Sequence, residues 1–322
     1  MKHRKLQKSH FPQIALALAF VIGSFSIFSV AFGIRKNHIF TIRKADNSQS
    51  YSRIQNQNNL FYQNENAETD EARYILQHLE NLGAIRAQSF LVGDLDTGEI
   101  IFERKPHTQY PIASVTKYMT AFTAATVLNP NELSKITREK LKVEGNRGHF
   151  KIGDSLTIKT LLYPLLLVSS NDAGEIIAQQ RNRAEFINVM NNLSQINKLH
   201  NTRFEDPTGL SKNNVSTARD LFKMMRIVRN SFPQIVDISE LNMMQTKGYT
   251  WRNINKASHI PEFEGGKTGY TNAARQTSIG YYQIKLANDQ TKNIGVVILQ
   301  SNTRQQDTRN VLDYLKRYVA YL

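Results

Sequence analysis

Hydrophobic spacing changes period twice along this chain, and that order restricts the folds open to it. Residues 71–83, EARYILQHLENLG, set Tyr74, Ile75, Leu79 and Leu82 at a helical spacing that ends at Gly83. Residues 89–95 (SFLVGDL) and 99–103 (EIIFE) are short apolar runs around Asp96-Thr97-Gly98, the pattern of a hairpin. After Pro111, ASVTKYMTAFTAATVL is helical by its alanines and by the face Val115, Met119, Phe122 and Ala125. The middle of the chain stays helical. LTIKTLLYPLLLV is nearly all apolar from Leu161 on and has to be buried. AGEIIAQQRN, AEFINVMNNLSQINK and STARDLFKMMRIVRN repeat apolar residues every three or four, the last with Ser216 expected as N-cap. Past Pro233, the segments QTKGYTWRN, FEGGKTG, QTSIGYYQIK and NIGVVILQ read as strands. DTRNVLDYLKRYVAYL closes the chain as an expected helix, with Val311, Leu312, Leu315, Val319 and Leu322 on one side.

Strands from both ends of the chain with helices between them imply an α/β (α+β) protein. The expected architecture is an antiparallel sheet flanked by helices, with an inserted helical lobe at about residues 130–235. The last helix should cover one face of the sheet. A cleft between lobe and sheet is where a substrate site is expected.

Residues 11–34 carry no charge and follow the basic MKHRKLQKSH. As a helix they would span roughly 36 Å, against about 30 Å for a bilayer core. The basic residues before the stretch outnumber Arg35 and Lys36 after it, which keeps the N-terminus inside and sends the rest outward. Residues 1–36 are therefore expected to be a signal anchor, or a signal peptide cleaved near Ala31, where Ser-Val-Ala approximates a cleavage site. Either way the domain is expected on the outer, periplasmic side of an inner membrane. Residues 37–70, rich in Asn, Gln and Ser, read as a polar linker, and 71–322 as the globular domain.

The absence of cysteine excludes disulfides, thiol catalysis and thiolate-held metal, and no HExxH spacing is present, so neither metal nor cofactor is expected. The net charge of +14 falls to +8 once the six basic residues of the first 36 are set aside. No arginine-rich arm or zinc finger accompanies it, so no nucleic-acid partner is expected.

Three short motifs carry the candidate chemistry. Ser114-Val115-Thr116-Lys117 places a hydroxyl and an amine on one helical face, three residues apart. A serine attacks only if a neighbour takes its proton, and a lysine does so only when burial or a nearby cation makes it neutral. Ser169-Ser170-Asn171 abruptly ends an apolar run, so its polar groups need partners. Lys267-Thr268-Gly269 offers a cation, a hydroxyl and a residue that lets backbone approach closely, which suits an anionic ligand end. Taken singly, each is an ordinary cap, turn or solvated lysine. GGKTG superficially resembles a phosphate loop, but position 261 is proline where that pattern asks for glycine.

In this order, SxxK, SxN and KTG resemble the penicillin-recognising serine enzymes. The chain is similar to the low-molecular-mass penicillin-binding proteins that are D-alanyl-D-alanine carboxypeptidases. The resemblance spans about residues 87–315 and includes DLDTGEIIFERK, PIASVTKYMTA, LLLVSSNDAGEIIA, NTRFEDPTGLSKNNVSTARDL and GGKTGYTNAA. It implies a β-lactamase/transpeptidase-like fold and a two-step acyl transfer on peptidoglycan stem peptides ending in D-Ala-D-Ala, with β-lactams as covalent inhibitors. The resemblance makes Ser114 the nucleophile, Lys117 the base, Ser169 a proton relay and Asn171 the residue that holds Lys117 and a substrate amide. It gives the terminal carboxylate to Lys267 and Thr268, helped by Arg304, with Arg309 nearby. Gly269 permits the close approach, and the N–H groups of Ser114 and Tyr270 form the oxyanion hole.

Three positions depart from the family pattern. Asp206 in EDPTGL stands where asparagine is usual and is expected to fix the turn at Pro207. Ser170 replaces glycine and is expected to add a side chain near the cleft. Tyr270 replaces histidine. A D,D-endopeptidase cutting cross-links is the main alternative. A class A β-lactamase would need Glu240 of DISELN as the deacylating base, but this segment comes too late in the chain. A wall-binding protein without catalysis would form no penicilloyl adduct.

Overall fold

The computed structural model describes residues 73–246 and 248–322. In chain order, β1 (Tyr74–Leu76) precedes the hairpin β2 (Ser89–Asp94) and β3 (Ile100–Arg104). β4 (Tyr110–Pro111) leads through a 3-10 turn at Ala113–Val115 into α1 (Thr116–Val127). β5 (Leu133–Lys135) pairs with β6 (Ser155–Thr157), ahead of α2 (Ile158–Leu167), α3 (Asn171–Ala178) and α4 (Arg183–Ile196). β7 (Val215–Ser216) pairs with β4, and α5 (Ala218–Ser231) and α6 (Pro233–Glu240) follow. The hairpin β8 (Met243–Thr246) and β9 (Tyr249–Arg252) leads to the long strands β10 (Phe263–Thr271), β11 (Arg275–Lys285) and β12 (Thr291–Ser301). Helix α7 (Arg304–Tyr318) and β13 (Val319–Tyr321) close the chain.

Among the described residues, five strands form one antiparallel sheet in the order β10-β11-β12-β2-β3. The expected join of the two chain ends is the β12–β2 ladder, with Val296 opposite Val92 and Val297 opposite Leu91. Alternation along the strands sends these pairs to opposite faces. Val92 and Val296 pack with Val311, Leu312 and Leu315 of α7. Leu91 and Val297 join the larger core built on the helices. Both faces are thus covered, and each buried aliphatic side chain contributes about 1.5–3 kcal/mol.

Helix α1 runs through that larger core and is buried on every side from Thr116 to Ala124. An amphipathic helix would bury one stripe. This one also buries Thr116, Lys117, Thr120 and Thr123. A lysine there is the costliest group in the helix to bury, and it needs specific partners.

Three local expectations are corrected by tertiary pairing. Residues 74–76 form β1 rather than a helix, because Tyr74 and Leu76 pair with Tyr321 and Val319 of β13. Tyr74 Oη also donates to Asp94, and its ring meets Tyr321 edge-on. The helix expected from position 307 to the end stops at Tyr318 for the same reason, and Leu322 is 73% exposed rather than on the apolar side. The N-cap of α5 is Thr217, whose side chain accepts from Asp220 N, while Ser216 lies in β7. The expected membrane segment at 11–34 and the linker at 37–70 lie outside the described residues. Among those described, no helix is long and apolar enough to cross a membrane.

Candidate active site

Ser114 sits in the turn that opens α1, where the edge strand β10 and the turn after Pro207 both press on the backbone. Ala113 adopts a left-handed φ of 47°, which costs a residue with a Cβ and persists only where its surroundings hold it. Two glycines supply that hold. A Cβ on Gly209, itself at φ 88°, would collide with the Ala113 carbonyl. A Cβ on Gly269 would come within 2.8 Å of Ser114 N. Thr277 Oγ1 donates to Ile112 O at 3.0 Å and ties the same turn to β11. The glycine of the third motif is thus needed for contact with the Ser114 backbone.

One turn along α1, Lys117 is fully buried, with Nζ 3.0 Å from Ser114 Oγ. Nζ donates to Asn171 Oδ1 at 2.6 Å and to Thr208 O at 2.6 Å. Asn171 is oriented by its own amide, because Nδ2 donates to Glu144 O at 2.7 Å. A neutral lysine has two N–H groups and one lone pair. The two carbonyl oxygens take the N–H groups, and the serine hydroxyl, alone of the three partners, can donate. The lone pair therefore faces Ser114. Burial lowers the Lys117 pKa to about 7, with Arg147 adding to the depression and Asp206 and Asp172 opposing it.

The second motif splits into two roles. Ser169, at a left-handed φ of 57°, accepts from Lys267 Nζ at 2.9 Å, while Asn171 meets Lys117. The motif is thereby tied to both lysines. Ser170 is fully buried and does not reach the cleft, contrary to expectation. Its hydroxyl caps α3 by accepting from Ala173 N at 3.0 Å and bonds the Asp172 carboxylate. Its side chain is turned inward because the helix start has N–H groups to satisfy.

Lys267 on β10 is 2% exposed, and Nζ also donates to Thr268 O at 2.9 Å. Burial lowers its pKa strongly, and Lys117, Arg304 and Arg147 lower it further. Gly266 N donates to Ser239 Oγ on α6, away from β11. Strand alternation turns the N–H groups of Thr268 and Tyr270 the same way, toward the open edge. The Tyr270 side chain is 65% exposed. Arg304 uses Nη1 to brace β10 and β11, donating to Gly269 O at 2.8 Å and Thr277 O at 2.9 Å. Burial lowers its pKa to about 10.

Two contributors escaped the sequence reading. The first is the Thr208 carbonyl, held by Asp206, whose carboxylate accepts from Thr208 N, Gly209 N and Ser211 N at 2.6–2.7 Å. The rigid Pro207-Thr208-Gly209 turn was visible as EDPTGL, but its reach to Lys117 was not. The second is the segment 144–148, strapped on by Asn171 and by Gly148 N, which donates to Asp172 at 3.2 Å. It carries Arg147, which bears on both lysines, and no motif marks it. Glu240 is an exposed residue at the end of α6.

A family model described as peptidase S11, D-alanyl-D-alanine carboxypeptidase, matches residues 76–302. The D-alanyl-D-alanine endopeptidase of Escherichia coli is 32% identical over 208 residues, 59% of this chain and 65% of that protein. The chain thus spans just under two thirds of that relative's length. The structure of a D-alanyl-D-alanine carboxypeptidase from Mycobacterium tuberculosis H37Rv superposes with a TM-score of 0.67 at 26% identity, covering 72% of this chain and 91% of that one. Penicillin-binding protein D2 of Listeria monocytogenes, in its cefotaxime-bound form, superposes at 0.63 with 25% identity, over 72% and 97%.

Proposed function

The chain belongs to the D-alanyl-D-alanine carboxypeptidase family, peptidase S11, and on that premise we propose that Ser114 is the acyl-forming nucleophile of a D-alanyl-D-alanine carboxypeptidase. The substrates are peptidoglycan stem peptides ending in D-Ala-D-Ala, and β-lactams acylate the same hydroxyl. Residues 1–36 would hold the domain on the periplasmic side of the inner membrane, or be removed near Ala31.

The observation that carries this reading is the Lys117 amine, 3.0 Å from Ser114 Oγ, with its two other partners both acceptors. With a pKa of about 7, roughly half of it is neutral at neutral pH. Ser114 Oγ attacks the carbonyl of the penultimate D-alanine, and its proton passes to Lys117 Nζ. The negative charge on the carbonyl oxygen is met by the N–H groups of Ser114 and Tyr270. Collapse breaks the C–N bond, and the proton held by Lys117 Nζ passes through Ser169 to the leaving D-alanine amine. Water then cleaves the acyl-enzyme, giving back the serine. The substrate carboxylate sits at Lys267 and Thr268. A carboxylate there favours protonated Lys267, and that charge in turn keeps Lys117 neutral.

Intact mass after exposure to benzylpenicillin tests the assignment. One penicilloyl group per chain is expected, and none on Ser114→Ala; an adduct that survives the substitution sinks it. Glu240, exposed at the end of α6, is not built as a water-activating base, so slow release of the adduct is expected. A D,D-endopeptidase reaction uses the same acylation with a larger leaving amine. A hollow beside Thr268 favours that second reading.

A further inference from the structure

A hollow of about 270 Å³ starts where the candidate site ends. Thr268 and Ser278, paired across β10 and β11, line its floor. Arg304 and Arg309 of α7 line one side, and Lys256 and His259 of the segment before β10 line the other. These four are the basic members of the lining, and no carboxylate is among its residues. Lys256 and Arg309 are exposed. Thr268 and Arg304, to which the substrate's terminal carboxylate is assigned, are themselves lining residues, so the hollow adjoins the carboxylate end of the site. It lies on the side where the substrate's terminal carboxylate is held, the side that departs on acylation.

A single D-alanine fills little of this space. Its carboxylate is already taken by Lys267 and Thr268, and beyond it there is only a methyl group. The volume is near the lower end of pockets that hold small ligands, about 300 Å³. An amine-donating stem of a cross-link is different, because it continues past the cut as a long side chain and carries further carboxylates. We propose that the hollow is a subsite for the leaving strand, and that Lys256 and Arg309 at its rim bind a carboxylate remote from the cut. Leaving strands that carry a free carboxylate beyond the cut are therefore favoured over those that do not. This rests on the Ser114 acyl-enzyme reading and adds the leaving-strand specificity to it.

The test compares kcat/KM for a purified cross-linked stem dimer with that for the same dimer amidated at the leaving stem's remote carboxylates. Both are measured with the full chain and with a Lys256→Gln, Arg309→Gln double variant. The free-acid dimer is expected to be cut about tenfold faster than the amidated one, a ratio that two charge-assisted contacts can supply. The double variant should bring that ratio close to one, and Lys256→Glu should invert it. A ratio near one in the unaltered chain, or a ratio the variants leave in place, overturns the subsite. Failure of Ser114 to take up penicillin overturns the parent reading instead, so the two failures are told apart.

Discussion

Two lysines are buried in one cleft to nearly the same degree, yet their surroundings differ. Lys117 has both signs of charge around it: Arg147 lowers its pKa while Asp206 and Asp172 raise it. The charges that bear on Lys267 are Lys117, Arg304 and Arg147, all cations. Desolvation pushes both amines toward neutrality. The neighbouring charges then differ: those around Lys117 partly cancel, while those around Lys267 all push it further toward neutrality. A ligand carboxylate at Lys267 would offset those cations and favour the protonated amine. The lesson is that burial alone does not assign a base; the balance of charge around each amine does.

The strongest way to break this comparison is Lys117→Ala. It removes the proposed proton acceptor, and the rate of penicillin acylation should fall by about 10²–10⁴-fold. Lys267→Ala should cost less, about 10–10²-fold, the worth of a hydrogen bond to a charged group. That loss should shrink sharply when the penicillin carboxylate is masked as a methyl ester. Equal losses on acid and ester would mean that Lys267 does not act through the carboxylate. The gentlest change sharpens the contrast. Asp206→Asn removes a negative charge that favours protonated Lys117, so the Lys117 pKa should fall. The acid limb of kcat/KM, which reports Lys117 losing its proton in the free enzyme, then moves to lower pH. A limb that stays put or moves to higher pH would break the link between Asp206 and the base.

Much of the site was legible because its signals are local. Ser114, in the 3-10 turn at Ala113–Val115, and Lys117, in the first turn of α1, are three residues apart, a spacing that brings them to one side. The hairpin at β2 and β3 and the long strands β10, β11 and β12 likewise show in their runs and turns. Ser170 was misjudged because a motif position says nothing about which way a side chain points. The hydroxyl went to the Ala173 N–H in the first turn of α3. Residues 74–76 were misjudged because a few apolar residues fit a helix or a strand equally well, and the partner that decided between them lies at the far end of the chain.

The amino-acid order by itself determined the elements with strong periodicity, the absence of thiol chemistry and the family's three motifs in their order. Tertiary structure alone decided that Lys117 meets Asn171 and the Thr208 carbonyl, 54 and 91 residues away along the chain. It also decided that the amine is fully buried, and so that its pKa falls to about 7. The physical reason is that desolvation belongs to packing. A backbone carbonyl carries no side-chain signature, and the water excluded around an amine depends on every element folded over it.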